Sequence, residues 1–174
     1  MNERAFPKAP SHLKKQPVQV LLRGGQSLEG NLHIPEGMPL HNFLGIRRFF
    51  LNLTSVQTTG SGADEPPLEH LSLRLSNVVW VIPRDPTLHV SSASAPADVG
   101  RAVELHLVDG LALRVTLNIA EEQRMSDYLD ANSGFVPLFE AELPATSRTI
   151  ERLVVNHEAI MAIRETAIRE TPDS

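Results

Sequence analysis

Two cations beside two aromatic residues form the segment of this sequence with the clearest potential for binding chemistry. The run Arg47-Arg48-Phe49-Phe50 stands at the start of an apolar stretch. Guanidinium groups pair with acidic groups, and an exposed ring can stack on a base, so the pattern is typical of a site for an acidic partner or a nucleic acid. The alternative is a solvated charge pair beside core aromatics. We interpret Phe50 as a core residue and Arg47, Arg48 and Phe49 as a partner-binding corner.

Trp80, the single tryptophan, is the other candidate for partner binding. It lies in an almost entirely apolar run, residues 78–82. A strand that is apolar on both faces needs a second surface in addition to its own domain. Trp80 is therefore a partner-binding candidate, while packing in a core or between the two barrels is the favoured explanation.

The histidines, glycines and hydroxyl residues form no recognisable metal, phosphate or catalytic motif. None of the seven histidines shows the i, i+2 or i, i+4 pairing of metal ligands beside a carboxylate, and His157 is expected in a solvated turn. The glycine-rich residues 24–30 lack the Lys-Ser/Thr ending of a phosphate loop. With no cysteine there is no disulfide and no thiol nucleophile. The sequence predicts no cofactor, no metal and no catalytic residue.

Composition and charge narrow the class of protein. The chain has 174 residues, of which 41% are hydrophobic and 21% charged, as in ordinary globular proteins. It contains no leader-like apolar segment at its start and no run of membrane-spanning length, so we expect a cytoplasmic protein without membrane insertion. Residues 1–87 carry a formal charge of +2 and the remainder −7. The acidic second half argues against wrapping nucleic acid, which needs clustered Lys and Arg.

The sequence contains an internal duplication. An offset of 85 residues aligns residues 18–56 with 103–141 without a gap, and an offset of 82 aligns the apolar positions of residues 71–81 with those of 153–163. The identical pairs of the first block are Val18/Val103, Leu22/Leu107, Gly25/Gly110, Leu28/Leu113, Leu32/Leu117, Ile34/Ile119, Glu36/Glu121, Leu44/Leu129, Phe50/Phe135 and Leu53/Leu138. Any two alternating strands match at some apolar positions by chance. Chance does not easily produce the shared Gly, Glu and Phe at a single ungapped offset. The chain is therefore predicted to contain two copies of one unit.

Each copy is predicted to be a small all-β unit. Asp109-Gly110 stands between two alternating runs and Gly24-Gly25 takes the same place in copy one, which predicts tight hairpins with positive φ at both turn residues. Three further strands follow in each copy: residues 49–56, 71–75 and 78–82 in the first, and 135–143, 150–155 and 160–163 in the second. With so few residues, each unit is marginal alone. We therefore expect the two units either to dock through a shared apolar seam or to pair their edge strands across a pseudo-two-fold axis.

A short helical segment separates the hairpin from the later strands. Met125, Tyr128 and Leu129 have the i, i+3, i+4 spacing of one helical face, with Ser126 or Asp127 as a cap. The predicted fold is therefore two tandem five-stranded SH3-like small barrels, each with one short helical turn between strands 2 and 3.

The expected domain boundaries follow from composition. We predict a basic flexible tail over 1–15, the first barrel over 16–83 with a mobile loop at 58–67, a Pro/Ser/Ala linker over 84–100, the second barrel over 101–165, and a C-terminal tail over 166–174. The composition of the linker indicates that it contributes nothing to a core.

The order of elements resembles a group of poorly characterised bacterial small-barrel domains, similar in outline to SH3-like and Sm-like barrels. The resemblance rests on residues 124–129, then Phe135-Val136-Pro137-Leu138, then the strand end at residues 154–160. Sm-like barrels place their helix before the first strand. PilZ barrels, which bind cyclic dinucleotides, need an arginine pair and a D/N-x-S-x-x-G turn, which residues 130–134 match only in part. The resemblance implies a fold and carries over no binding residue.

These observations favour a non-enzymatic interaction or assembly module, an adaptor or accessory subunit. Its expected partner is another protein, bound through barrel edges, the corner at Arg47–Phe49, or the apolar strand with Trp80; edge strands also allow a homo-oligomer. A nucleic-acid-binding barrel and a small-ligand sensor with a site in the cleft between the barrels are the alternatives.

Overall fold

Alternation of apolar and polar residues folds most of this chain into strands. A computed structural model describes residues 12–60, 66–91, 99–132 and 134–166. The fold is all-β, with ten antiparallel strands in one sheet. The first half contains β1 (Leu13–Leu22), β2 (Ser27–Pro35), α1 (Leu40–Gly45), β3 (Phe50–Thr58), β4 (Leu68–Arg74) and β5 (Val78–Pro83). The second contains β6 (Val99–Leu107), β7 (Ala112–Ile119), α2 (Met125–Ala131), β8 (Phe135–Leu143), β9 (Arg148–Asn156) and β10 (Ile160–Glu165). Three-residue 3-10 turns lie at Leu75–Asn77, Val108–Gly110 and His157–Ala159.

The two halves repeat the same connections at the predicted offsets. β3 and β8 match end to end at an offset of 85, while β5 and β10, with the 3-10 turns before them, match at 82. The sheet order is β10-β6-β7-β8-β9-β5-β1-β2-β3-β4, so that each half places its strands in the order 5-1-2-3-4. Five strands in each half and a short helix between the second and third strands confirm that part of the predicted architecture.

The sheet is continuous and open. The two units meet by strand pairing, which is one of the two expected arrangements, but the strands that meet are the non-equivalent β5 and β9 and not the equivalent strands that a pseudo-two-fold axis would bring together. β5 of the first half pairs with β9 of the second, with Trp80 opposite Val155 and Val81 opposite Val154. β5 is buried at every position because both of its faces are apolar and each is covered by a different half. Pairing at this junction merges the strands of the two units into one sheet.

The hairpin turns have the predicted backbone. Gly24 and Gly25 have φ of 86° and 88°, and Asp109 and Gly110 have φ of 60° and 71°. Positive φ at both central residues matches the right-handed twist of the flanking strands, which favours Gly or Asp there. The hairpin interpretation is confirmed in both halves.

The helices lie where the sequence predicts them, but the residues at their N-termini differ from the predicted caps. α2 follows Arg124 and α1 follows Pro39, and neither residue makes a side-chain capping bond. The interpretation of Ser126 or Asp127 as the cap is wrong, because both residues lie inside α2. Buried Met125 and Leu129 hold that helix against the second core, as their spacing predicts.

Two apolar cores lie side by side, and each includes side chains from the opposite half. Val79, Trp80 and Ile82 of β5 pack in the core of the second half. Phe135 and Val154 of the second half pack in the core of the first. Trp80 is 7% exposed, which confirms that it packs between the halves.

The predicted core position of Phe50 is wrong. Its ring is 50% exposed, whereas its counterpart Phe135 is 7% exposed. The difference arises from position in the sheet, because Phe135 is covered by the neighbouring half and Phe50 lies near the outer edge of the first half, which has no such neighbour.

The segment expected to be a linker contributes to the first core. Leu88 and Val90 are buried there, so the expectation of no core residue is wrong. Arg152 of the second half holds this segment in place, because its Nη1 donates to the carbonyl oxygen of Leu88 at 2.8 Å and its Nη2 to that of Asp85 at 3.3 Å. Residues 92–98 lie outside the described ranges.

The tails are shorter than their composition indicates. β1 begins at Leu13 and pairs with β2, so residues 13–15 belong to the sheet. Thr166 donates its backbone N–H to Ala102. Residues 1–11, residues 61–65 of the loop expected to be mobile, and residues 167–174 lie outside the described part of the chain.

Candidate binding site at the junction of the halves

Hydrogen bonds from both halves close the junction around β5 and β9. The buried Asn156 donates from Nδ2 to the carbonyl oxygens of Leu75 at 3.0 Å and Val78 at 2.9 Å, and its Oδ1 accepts from the backbone N–H of Glu158 at 3.0 Å. Arg23 of the first hairpin turn donates to the carbonyl oxygens of Ser76 and Glu158. These bonds fix the two 3-10 turns relative to each other.

The two hairpin turns also touch across the junction. The backbone N–H of Gly24 donates to Oδ2 of Asp109 at 2.7 Å. These two residues are equivalent in the two copies, since they are 85 positions apart. This hydrogen bond therefore joins equivalent turns of the two halves.

A cavity of about 460 Å³ opens at this junction. We name it the junction pocket. It is lined by the end of α1 and the segment after it, by the two 3-10 turns, and by the start of β8: Leu44, Gly45, Arg47, Arg48, Phe49, Arg74, Leu75, Ser76, Gly134, Phe135, Asn156, His157 and Glu158. Residues from both halves contribute, so the pocket exists only when the halves are docked.

Three guanidinium groups, those of Arg47, Arg48 and Arg74, give the pocket its charge. Within the described residues none of the three forms an ion pair with a carboxylate. Glu158 is the one acidic residue of the lining, and its backbone, rather than its carboxylate, makes the bonds that close the junction. The pocket therefore presents an excess of fixed positive charge in a concave site, which favours an anionic ligand.

Aromatic rings hold two of these cations. The guanidinium carbon of Arg47 lies 4.3 Å from the centroid of the Phe43 ring, and that of Arg74 lies 5.9 Å from that of Phe50. Phe43 is buried in α1, so the first pair anchors Arg47 to the core of the first half. Such contacts orient a guanidinium and leave its N–H groups free to donate.

The structure brings most of the sequence-predicted site residues together. Arg47, Arg48 and Phe49 all line the junction pocket, and Phe49 is 63% exposed. Trp80 is elsewhere: its burial between the halves removes its indole from the surface of the single chain.

Sequence reasoning missed Arg74 and Asn156. Arg74 ends a strand that alternation identifies, but its place beside residues 47–49 depends on the register of β3 with β4, in which Arg74 pairs with Phe50, and spacing does not give that register. Asn156 occupies the position equivalent to Arg74. Its position directly after the apolar run of residues 153–155 is the one signal that could have pointed to it.

A second charged cluster surrounds Glu104 in the second half. This buried carboxylate accepts from Nε of Arg114 at 3.0 Å and Nη2 of Arg164 at 3.0 Å, and His106 Nε2 lies 3.2 Å away. The hydrogen bond from Arg114 is the main reason that the pKa of Glu104 lies below its ordinary value, although burial acts in the opposite direction. Because its charge is compensated inside the half, this cluster stabilises the fold locally.

No group of three or more His, Asp or Glu side chains within the described ranges is placed to hold a metal ion. None of the helices described has the length and apolar character required to cross a bilayer.

Comparison with protein-family models, with curated proteins and with solved structures finds no match. The fold and the site define an all-β protein with a basic pocket at the junction of two similar halves.

Proposed function

We propose that this protein is a non-enzymatic interaction module that binds an acidic segment of a partner protein in the junction pocket. In this proposal each half is a small five-stranded barrel of the SH3-like type. Two features support the barrel interpretation: strand 1 of each half pairs with both strand 2 and strand 5, and a single 3-10 turn links strand 4 to strand 5.

The observation that carries the proposal is the set of three guanidinium groups without carboxylate partners, described above, around one concave site. Arginine is a permanent cation with a fork of donors that matches a carboxylate, so it binds acidic groups without exchanging protons. Phe49 adds exposed apolar area beside Arg48, and aromatic residues and arginine are the residue types enriched at the centres of protein interfaces.

A peptide fits the charge distribution better than a long nucleic acid. Basic residues that contact a nucleic acid usually extend along its backbone, whereas here the second half carries a formal charge of −7. A short acidic segment needs to contact only the pocket and avoids the acidic surface.

A small anionic ligand is the second candidate, and the volume of the pocket favours it. A cavity of about 460 Å³ lies within the size range of small-molecule sites. Ser76 and Asn156 would add neutral polar groups to the arginines. A rise in melting temperature with ATP or inorganic polyphosphate, but not with acidic peptides, would favour this candidate.

The proposal is tested by titration with two probes of equal charge, a fluorescent Asp/Glu-rich peptide that contains one aromatic residue and a single-stranded oligo(dT). We expect the peptide to bind more tightly than the oligonucleotide, and its affinity to fall with added salt. The double variant Arg47→Ala/Arg48→Ala should weaken peptide binding by about tenfold or more, since hydrogen bonds to charged groups contribute over 1 kcal/mol each.

Arg148→Ala is the matched control, because Arg148 is an exposed arginine of the second half away from the pocket. It should leave the affinity unchanged. Tighter binding of oligo(dT) would assign the site to nucleic acid instead. Absence of binding by both probes, or equal loss in the control, would overturn the proposal. Affinity purification from native cells at low and high salt then identifies the partner that the wild type retains and the double variant loses.

A further inference from the structure

The two outer edges of the sheet are the counterparts of the two strands that join inside the chain. At the offset of 82, β10 corresponds to β5 and β4 corresponds to β9. β5 and β9 pair with each other, whereas β10 and β4 end the sheet and have no strand on their outer side within the described residues. The register shift between β1 and β5 at Leu21/Leu22 also recurs at the equivalent place between β6 and β10.

Burial shows what each outer strand lacks. Val79 is fully buried at the junction, but its counterpart Met161 is 69% exposed. Phe135 is buried in the core of the opposite half, but its counterpart Phe50 is half exposed. The same positions that the internal junction covers are left uncovered at the two ends of the sheet.

We propose that β10 of one copy of this protein pairs with β4 of a second copy and thereby repeats the β5–β9 junction between molecules. The contact is head-to-tail: one molecule contributes its second half and the next contributes its first. A dimer formed in this way still has one free β10 edge and one free β4 edge, so the assembly continues as an open chain unless it closes as a ring.

The backbone donors and acceptors are placed for this pairing. Applied to the outer strands, the internal register puts Ala162 opposite Leu73 and Ile163 opposite Ser72 of the next copy. The N–H of Thr166 points inward to β6 and that of Leu75 inward to β3. Because donors alternate along a strand, those of Ile163 and Ser72 point outward. The proposed register therefore sets two free N–H groups opposite each other as a hydrogen-bonded pair.

Charges at the edges fit the same register. Glu165 would lie opposite His70 of the next copy, and Arg164 would lie diagonal to Glu69, within reach of long side chains. Two copies could instead pair through identical edges, β10 with β10 or β4 with β4. No pairing of equivalent strands occurs inside the chain, so the internal junction provides no precedent for such a contact. These features favour a second copy of this chain as the occupant of each edge.

The contact between copies is expected to be weaker than the internal one. Ala162 and Arg164 stand where β5 has Trp80 and Ile82, and Ser72 stands where β9 has Val154. The contact between copies buries less apolar surface than the β5–β9 junction does. The assembly should therefore be reversible, and its average size should increase with protein concentration.

The experiment measures the mass of the full chain by analytical ultracentrifugation over a range of concentrations, with two blocking variants. Ala162→Asp places a carboxylate where the junction would bury it on the β10 side, and Ser72→Asp does so on the β4 side. Both residues are exposed in the single molecule, so each variant should keep the wild-type circular dichroism spectrum and melting curve. Thr116→Asp, at an exposed position of β7, is the control that should assemble like wild type.

We expect the mass of the wild type to rise with concentration, each blocked variant alone to remain monomeric, and an equal mixture of the two to form a dimer and nothing larger. The mixture retains one good β10 edge and one good β4 edge, which permits a single junction. The double variant Ala162→Trp/Ser72→Val, which copies the internal junction, should assemble at lower concentration than wild type.

Three results would overturn the proposal: a wild-type monomer at all concentrations up to about 1 mM, a dimer of either blocked variant alone, or a mixture that stays monomeric. These results are independent of peptide binding, because none of the substituted residues lines the junction pocket.

Discussion

Replacement of Asn156 by alanine tests whether the two halves fold as one unit. The side chain is buried and makes the three hydrogen bonds described above, two of them to carbonyl groups of the opposite half. The carbonyl oxygen of Leu75 keeps a second donor, the N–H of Val78. At about 1–3 kcal/mol for each buried polar group that loses its partner, Asn156→Ala should lower the free energy of unfolding by roughly 2–4 kcal/mol.

Urea unfolding measures this change with two probes. Fluorescence of Trp80 reports the junction, because the indole lies between the halves, and far-ultraviolet circular dichroism reports the whole sheet. Both signals should follow one transition, with the midpoint lowered and the slope unchanged, since a two-state unit loses stability as a whole.

Asn52→Ala is the matched control. Asn52 is exposed and accepts one hydrogen bond, from Ser72, so its replacement should cost no more than about 0.5 kcal/mol. The reasoning is refuted by a loss of less than about 0.5 kcal/mol for Asn156→Ala, or by fluorescence and circular dichroism transitions that separate in the wild type, which would mean that the halves unfold independently.

Two further predictions concern the charged cluster and the segment between the halves. Because Arg114 and its neighbours lower the pKa of Glu104 in the folded state, the stabilisation is fully present above the pKa of the unfolded state and is lost as pH falls through the folded pKa. Urea unfolding at a series of acidic pH values should show a flatter pH dependence for Glu104→Gln than for wild type, and identical profiles would contradict this. Leu88→Ala should lower the free energy of unfolding by about 2–5 kcal/mol, because Leu88 is buried in the first core. A change as small as that of a surface variant would contradict a contribution of this segment to stability.

Much of the fold can be predicted from local patterns. Period-two alternation and the Asp109-Gly110 turn identify the second hairpin, and the offsets of 85 and 82 identify the equivalent elements of the first half. These features depend on residues close in sequence, where propensity and turn chemistry decide the outcome.

The junction between halves could not be predicted in the same way. Phe50 and Phe135 are equivalent residues of the two copies, but only Phe135 is buried, because only Phe135 has a neighbouring half to cover it. Leu88 and Val90 lie in a segment of linker-like composition, and Arg152, far away in sequence, holds part of that segment. Residue types alone predict the corner at Arg47–Phe49, whereas Arg74 lies beside it because β4 pairs with β3, with Arg74 opposite Phe50.

The exchange of side chains between the cores also sets an order of events during synthesis. When the first half leaves the ribosome, its core lacks Phe135 and Val154, which have not yet been translated. The 71 residues from Arg84 to Val154 take roughly 4–14 s to add at elongation rates of about 5–20 residues per second. During that interval the face of β5 that the second half covers, which carries Trp80, is exposed to solvent and to chaperones. The first half is thus a nascent intermediate that the last strands of the chain complete.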